Sequence, residues 1–225
     1  MELINIDKLQ CLCSDNKCNS KIAYILYPIE GYLDKWIDQA AEDYGTTIVV
    51  ITGMDWENVF SPWPAKGVPA GSPDFKGESG EFLDKLQNDV IPKIESKIGC
   101  HATPERSLIG ISMSGLFALW QWLLCDTFTN IASLSGSFWY DGFIDWFEKQ
   151  QISDKSGQAF FLLGTQEPKS GIKAFQSVGT ATEAIVSRLK NDGIKVKFMS
   201  VPGNHYSNPV PRLEAAFSAL YSDQR

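Results

Sequence analysis

Short apolar segments alternate with segments of helical period along most of the sequence, and this alternation limits the fold more than any other feature. The segments with strand character are 22–27, 47–51, 106–110, 130–134, 159–163 and 196–201. Between them, apolar residues recur every three or four positions, as Phe82, Leu86 and Val90 do. Parallel strands joined by helices produce this order. The sequence therefore predicts an α/β fold, with a mostly parallel sheet of about six or more strands and helices on both faces.

The chain of 225 residues has an ordinary content of hydrophobic residues, 44%, and of charged residues, 21%. We therefore expect one folded domain over residues 1–225. The formal net charge of −7 argues against nucleic acid as a partner, because phosphate binding requires a basic surface. No apolar run has the length of a membrane span, and the first residues lack a signal-peptide pattern. We expect a cytoplasmic protein without membrane contact.

The five cysteines are an odd number, which excludes complete pairing in disulfides. Reduced thiols in a cytoplasm are the simplest interpretation. Cys11, Cys13 and Cys18 lie close together, and three thiols suit zinc, but no fourth ligand is near and the spacing fits no familiar finger. The sequence also has no G-x-G-x-x-G pattern and no phosphate-binding loop. We predict neither a metal nor a cofactor.

The segment Gly-Ile-Ser-Met-Ser-Gly at 110–115 lies between a predicted strand and a predicted helix. In a G-x-S-x-G turn the serine hydroxyl is exposed above the sheet, and small residues flank it because the two backbones approach closely. Gly110 meets this requirement, and Ser114 is a small residue where glycine is usual. We predict Ser112 as a nucleophile. Ser114 is the alternative, although its hydroxyl in the first helical turn is less well aimed.

The sequence contains two histidines, and His205 directly follows the last predicted strand. The chain order serine, acid, histidine is that of hydrolases with this strand-turn-helix nucleophile, and histidine accepts a proton near neutral pH. We therefore predict His205 as general base, and His101 as a surface loop residue. Glu167 is the first carboxylate after the preceding strand and is the predicted acid. Asp141, or a pair without an acid, remain alternatives.

Stabilisation of a tetrahedral oxyanion requires two backbone N–H groups. Met113 directly follows the nucleophile and is predicted to supply one. The loop after the first strand is predicted to supply the other, from Ile29, because Pro28 has no N–H.

Aromatic residues cluster in two segments near the predicted site. Trp139 and Tyr140 follow a strand, and Trp63 belongs to a proline-rich loop (residues 55–77) that also contains Trp56 and Phe60. We predict that Trp139, Tyr140 and Trp63 line a substrate pocket. Packing of these rings against the loops is the alternative.

Three segments together resemble the esterase branch of the α/β-hydrolase superfamily, which includes enterochelin esterase-like and esterase D-like proteins. They are 107–119 around Ser112, Ser-Gly-Ser-Phe-Trp at 135–139, and Pro-Gly-Asn-His at 202–205. The resemblance covers most of the chain from about residue 22 and implies hydrolysis of carboxylic esters through an acyl-enzyme. The acidic charge, and the lack of room for the N-terminal domain of some siderophore esterases, favour a small carboxylic ester over a ferric siderophore.

Two other functions remain open at this stage. An acyltransferase would use the same residues but pass the acyl group to an alcohol. A non-catalytic binding protein could keep the scaffold, and the departure at Ser114 is the observation that raises it. We expect a small-molecule ester as the partner, and the sequence does not predict the oligomeric state.

Overall fold

The computed structural model describes residues 1–15, 20–100, 103–152 and 155–222, and this part of the chain contains one sheet of eight strands. In chain order they are β1 Glu2–Ile6, β2 Leu9–Cys13, β3 Lys21–Leu26, β4 Thr47–Thr52, β5 Glu105–Ile111, β6 Asn130–Leu134, β7 Gln158–Gly164 and β8 Lys195–Val201. Their order in space is β1-β2-β4-β3-β5-β6-β7-β8. Strands β3 to β8 are parallel, which confirms the predicted α/β class.

Helices cover both faces of the sheet, as predicted. They are α1 Asp34–Tyr44, α2 Trp56–Val59, α3 Ser79–Lys85, α4 Ile91–Lys97, α5 Met113–Leu124, α6 Phe143–Phe147, α7 Val178–Asn191 and α8 Pro209–Tyr221. Ile37 of α1 and Phe217 of α8 belong to one apolar cluster, and Phe117 of α5 and Ile185 of α7 belong to another. None of the helices in the described ranges combines the length and apolar character needed to cross a bilayer.

The N-terminal hairpin of β1 and β2 is the part of the sheet that the sequence pattern did not predict. It adds two antiparallel strands beside β4. Cys11 and Cys13 lie on one face of β2 and are fully buried, and burial raises the pKa of both thiols to about 12. A metal would require the thiolate forms, which this burial disfavours. Cys18 and His101 lie outside the described residues.

The expectation of reduced thiols throughout is wrong for Cys100, which is disulfide-bonded. Cys11, Cys13 and Cys125 are free thiols. The cytoplasmic location inferred from reduced cysteines stays a prediction. Among the described residues, no group of three or more histidine, cysteine or acidic side chains is arranged to hold a metal ion.

The helical segment that precedes β5 is divided ahead of Pro92. A π-helical segment, Leu86–Val90, separates α3 from α4. Proline has no N–H for the carbonyl four residues earlier, here that of Asn88, and its ring would collide with that group. The wider π turn directly before Pro92 accommodates this mismatch within a continuous helical path.

A buried ion pair lies near the amino end of β5, at the opposite edge of the sheet from the carboxyl ends of the parallel strands. Arg106 donates from two nitrogens to the carboxylate of Glu95, at 2.6 and 2.7 Å. The hydroxyl of Tyr24 donates to the same carboxylate at 2.9 Å. Because these groups are largely buried, breaking the pair is expected to lower the free energy of unfolding without changing the carboxyl-end loops.

Candidate active site

Ser112 lies on a strained turn between β5 and α5. Its φ of 60° and ψ of −120° lie in a region of backbone conformation that residues with a side chain rarely adopt. The turn also brings the backbone of α5 against Gly110, where an added Cβ would lie 2.0 Å from the carbonyl oxygen of Ser114. Glycine at 110 is therefore required by close approach, as the sequence pattern predicted.

Substitution of Gly110 by alanine is expected to lower the free energy of unfolding by about 3 kcal/mol or more, because backbone atoms must move to admit the methyl group. Urea unfolding measures the change. Gly80, on the exposed side of α3 with open space around it, supplies the control. Gly80→Ala should leave stability unchanged or raise it by about 0.5 kcal/mol. Equal stability of the two variants would contradict the crowding at Gly110.

The hydroxyl of Ser114 is used inside the turn and does not point into the cleft. It accepts a hydrogen bond from the Ile111 N–H at 2.8 Å and lies within donating distance of two carbonyl oxygens, that of Ile111 at 3.0 Å and that of Leu26 at 3.1 Å. Ser114 is fully buried. Serine in place of the usual glycine therefore ties the turn to the end of β3, and the structure does not present this residue as a second nucleophile.

Three predicted residues, Ser112, His205 and Glu167, form one hydrogen-bonded chain. The Oγ of Ser112 lies 3.0 Å from His205 Nε2, and His205 Nδ1 lies 2.9 Å from Glu167 Oε2. Ser112 follows β5, Glu167 follows β7 and His205 follows β8. The carboxyl ends of parallel strands meet at one edge of a sheet, which is why residues far apart in sequence converge there. The structure brings Glu167 to the histidine, and not Asp141.

The carboxylate of Glu167 is buried and is held from several sides. Its Oε1 accepts hydrogen bonds from the Gly164 N–H at 2.7 Å and the Ser135 hydroxyl at 2.6 Å, and lies 3.3 Å from Arg212 Nη1. Burial alone would raise the pKa of this carboxyl, but hydrogen bonds from His205, Ser135 and the Gly164 amide outweigh it and hold the pKa below the ordinary value of 4.5. Glu167 is therefore ionised at neutral pH.

The lowered pKa of Glu167 predicts a pH dependence of stability. A carboxyl whose pKa is depressed by folding stabilises the folded state above its unfolded pKa, about 4.5, and this contribution is lost as the pH falls through the folded pKa. The difference in unfolding free energy between the wild type and Glu167→Gln should thus shrink below about pH 4.5. Urea unfolding at several pH values between 3 and 6 measures it. A difference that does not change with pH would contradict the prediction.

A cleft of about 410 Å³ opens beside Ser112. Aromatic and aliphatic side chains form much of its wall, and these include Trp56, Phe75, Trp139, Ile172 and Phe175. The Trp139 ring packs against the Phe175 ring, with the ring centroids 4.6 Å apart and the planes tilted by 45°. Trp139 therefore lies where the sequence analysis expected it, on the wall of the pocket. Phe75, Ile172 and Phe175 had no distinguishing sequence signal, because isolated apolar residues in loops are common.

Trp63 and Tyr140, which we also expected in the pocket, do not line the cleft. The Tyr140 hydroxyl donates to the carbonyl oxygen of Trp63, and Trp63 Nε1 donates to the carbonyl oxygen of Asp141 at 2.9 Å. Their ring centroids are 5.9 Å apart. These two residues instead fasten the proline-rich loop (residues 55–77) to the segment after β6, which was the alternative function for these rings.

The two predicted oxyanion donors have different surroundings. Met113 is the first residue of α5, is buried and lines the cleft beside Ser112. Ile29 lies in the turn after β3, its side chain is 53% exposed, and it is not among the residues that line the cleft. A third group lies near Ser112, since the Ser137 hydroxyl oxygen is 3.4 Å from Ser112 Oγ.

Comparison with known proteins gives a family. The family model described as "Putative esterase" matches residues 26–207. The uncharacterized protein YbbA of Bacillus subtilis (strain 168) is 27% identical over 150 residues, which are 64% of this chain and 60% of that protein. The matched region thus spans less than two thirds of the length of this relative.

Solved structures show the same fold at low sequence identity. An IroE-like serine hydrolase from Shewanella oneidensis has a TM-score of 0.71 and 18% identity, and the match covers 96% of this chain and 75% of that one. Siderophore hydrolase EstB from Aspergillus nidulans has a TM-score of 0.75 and 15% identity, with 99% and 94% covered. Since the family model covers most of the chain, including Ser112, Glu167 and His205, the protein belongs to the Putative esterase family.

Proposed function

We propose that the protein is a serine esterase that hydrolyses a small carboxylic ester through an acyl-enzyme intermediate. The hydrogen-bonded chain from Ser112 through His205 to Glu167, with Ser112 on the strained turn, is the observation that carries the proposal. Nucleophile, base and orienting acid are each within hydrogen-bond reach of the next, which is the arrangement that activates a serine hydroxyl.

The reaction proceeds in two half-reactions. His205 Nε2 takes the proton of Ser112 as Oγ attacks the ester carbonyl carbon, and Glu167 stabilises the imidazolium that forms. The ester C–O bond then breaks, and the imidazolium returns the proton to the departing alkoxide. Water attacks the acyl-serine with the same proton transfers and releases the carboxylic acid and the free hydroxyl. No other reactant is required.

The oxyanion of the tetrahedral intermediate is the charge that the site must stabilise. We assign one donor to the Met113 N–H, because it lies at the start of α5, where backbone amides have no partner within the helix. The Ile29 N–H remains our candidate for the second donor.

The cleft favours an uncharged, partly apolar ester. Among the described residues that line it, two are carboxylates, Glu57 and Glu167, and none is lysine or arginine. The structural neighbours named as siderophore hydrolases raise siderophore esters as a further substrate class. Because the cleft is about 410 Å³ and lacks cationic groups, we favour a small neutral ester.

Treatment with a fluorophosphonate tests the activated serine directly. We expect a single adduct by intact mass, mapped to the peptide that contains Ser112, and turnover of short p-nitrophenyl esters. The variant Ser112→Ala should take up no label under the same conditions. Folded wild-type protein that forms no adduct would contradict the proposal and favour the non-catalytic binding protein.

An acyltransferase uses the same acyl-enzyme, so its test differs. Hydrolysis would be measured with and without added acceptor alcohols, and the products separated by mass. A serine esterase should give mainly the free acid at low alcohol concentration. Transfer products that dominate at low alcohol concentration would reassign the protein as an acyltransferase.

A further inference from the structure

Arg212 is a buried cation that contacts both loops of the candidate site. It lies in the first turns of α8 and is 5% exposed. Its Nη1 lies 3.3 Å from Glu167 Oε1 and also donates to the hydroxyl oxygen of Ser135. Its Nη2 donates to the carbonyl oxygen of Asn204 at 2.6 Å. Asn204 directly precedes His205, so one guanidinium joins the loop of the acid to the loop of the base.

The planar guanidinium suits these contacts in a way that another cation would not. It has five N–H donors in a fixed fork, so it can bind a carboxylate, a hydroxyl and a carbonyl oxygen at once. A lysine ammonium would keep the charge, but its single nitrogen could not contact the groups on both loops as the two guanidinium nitrogens do. The charge itself balances the buried carboxylate of Glu167, which is otherwise costly to hold ionised away from water.

The neighbouring backbone leaves room for this arrangement. An added Cβ at Gly164 would lie 2.8 Å from Glu167 Oε1 and 2.9 Å from Arg212 Nη2. Gly164 therefore admits both groups of the pair against the end of β7. A backbone hydrogen bond, from the Gln166 N–H to the Gly203 carbonyl oxygen at 2.9 Å, also links the two loops. Loss of Arg212 should consequently loosen their alignment and not separate them.

We propose that Arg212 is a positioning residue, which holds Glu167 and the backbone before His205 in the alignment that activates Ser112. The inference rests on the proposed function, since it concerns the same hydroxyl, imidazole and carboxylate. Arg212 does not itself line the cleft, although its partners Ser135, Glu167 and Asn204 do. Since the guanidinium lies behind these residues, we expect its loss to act mainly on the rate of the chemical step.

A pH profile separates this effect from a merely structural one. The low-pH limb of kcat/KM reports protonation of the base in the free enzyme. Among the described residues, Glu167 Oε2 lies 2.9 Å from His205 Nδ1 and the centroid of the Tyr206 ring lies 5.4 Å from that of His205. Glu57 is the other carboxylate on the wall of the same cleft. Arg212 and His205 contact the two oxygens of the same carboxylate. Loss of the guanidinium leaves this carboxylate to the imidazole, and we expect activity to be lost at a higher pH.

The experiment compares three variants by steady-state kinetics with a p-nitrophenyl ester, and by the rate of fluorophosphonate labelling. Arg212→Met should lower kcat about 100-fold with KM within about twofold, and move the low-pH limb upward. Arg212→Lys should return the low-pH limb to its wild-type position. Its kcat should lie between those of the wild type and Arg212→Met. Arg106→Met breaks the buried pair with Glu95 at the opposite edge and is the control for stability alone. It should unfold more easily but keep the wild-type limb.

The proposal would be overturned if folded Arg212→Met had the wild-type kcat and a low-pH limb of kcat/KM at the wild-type position. Should Arg212→Met fail to fold, Arg212→Lys with wild-type kcat would overturn it as well. An upward shift of the limb in Arg106→Met would show that destabilisation alone moves the profile, and this too would overturn it. Wild-type protein with neither turnover nor label would overturn the proposed function and this inference together, whereas active wild type with unaffected Arg212 variants overturns the inference alone.

Discussion

Replacing Ser112 by alanine is expected to lower kcat for a p-nitrophenyl ester by about 10⁶-fold, the size of effect seen when a serine nucleophile is removed. Ser114 cannot replace it, because its hydroxyl is buried and bonded inside the turn, whereas the Ser112 hydroxyl lies 3.0 Å from His205 Nε2. Rates with and without enzyme in the same buffer measure the loss. Thermal unfolding of the variant shows whether the fold is kept.

The matched control for Ser112 is the neighbouring serine. Ser114→Gly introduces the residue that is usual at this position of the turn, and removes the hydrogen bonds to Ile111 and Leu26. It should lower stability and keep most of the activity and the fluorophosphonate adduct. If Ser112→Ala kept its activity while Ser114→Gly lost it, the assignment of the nucleophile would be wrong.

Glu167→Gln is expected to have the second-largest effect, with a loss of about 10⁴-fold in kcat. A glutamine amide fills the same space but has no charge to stabilise the imidazolium, and its NH₂ group would favour the wrong tautomer of His205. The buried contacts with Ser135 and Arg212 would also lose their ionised acceptor. Steady-state kinetics near neutral pH, where the wild-type carboxyl is ionised, measure this loss.

Asp141→Asn is the control for Glu167, because Asp141 was the other carboxylate considered from the sequence. Its backbone carbonyl accepts a hydrogen bond from Trp63, and the structure places Glu167, not Asp141, at His205. This variant should keep kcat within about twofold. The reverse pattern, with Asp141→Asn inactive and Glu167→Gln active, would show that the acid was assigned incorrectly.

Much of the parallel sheet was predictable, because buried strands of this class are continuous apolar runs that end at glycine or proline. Strand β4, Thr47–Thr52, is buried at every position, and its run of β-branched residues has that character. The placement of Ser112, Glu167 and His205 followed from the same rule, because each comes after a strand and the strands end at one edge. Their order along the chain then suffices to bring them together.

The remaining features depend on contacts between distant segments that carry no local signal. Most residues of strand β1 are exposed, so the sequence of this segment has no pattern that predicts a strand. Its hydrogen bonds to β2 hold it in the sheet. Arg212 is one of many cations on helices, and only the packing of α8 shows that it is buried against Glu167. Trp139 and Tyr140 are adjacent in sequence, but Trp139 lines the cleft whereas Tyr140 does not and donates to the carbonyl oxygen of Trp63.

The attachment of the proline-rich loop through Trp63 separates two properties of the protein. This loop supplies Trp56, Val68 and Phe75 to the cleft, yet its anchoring contacts are with the segment after β6. The residues proposed to activate the nucleophile and transfer protons lie on other loops, at the ends of β5, β7 and β8. Substrate range and the rate of the chemical step can thus change separately during evolution. Substitutions in the loop alter the cleft wall, while the groups at the ends of the strands stay the same.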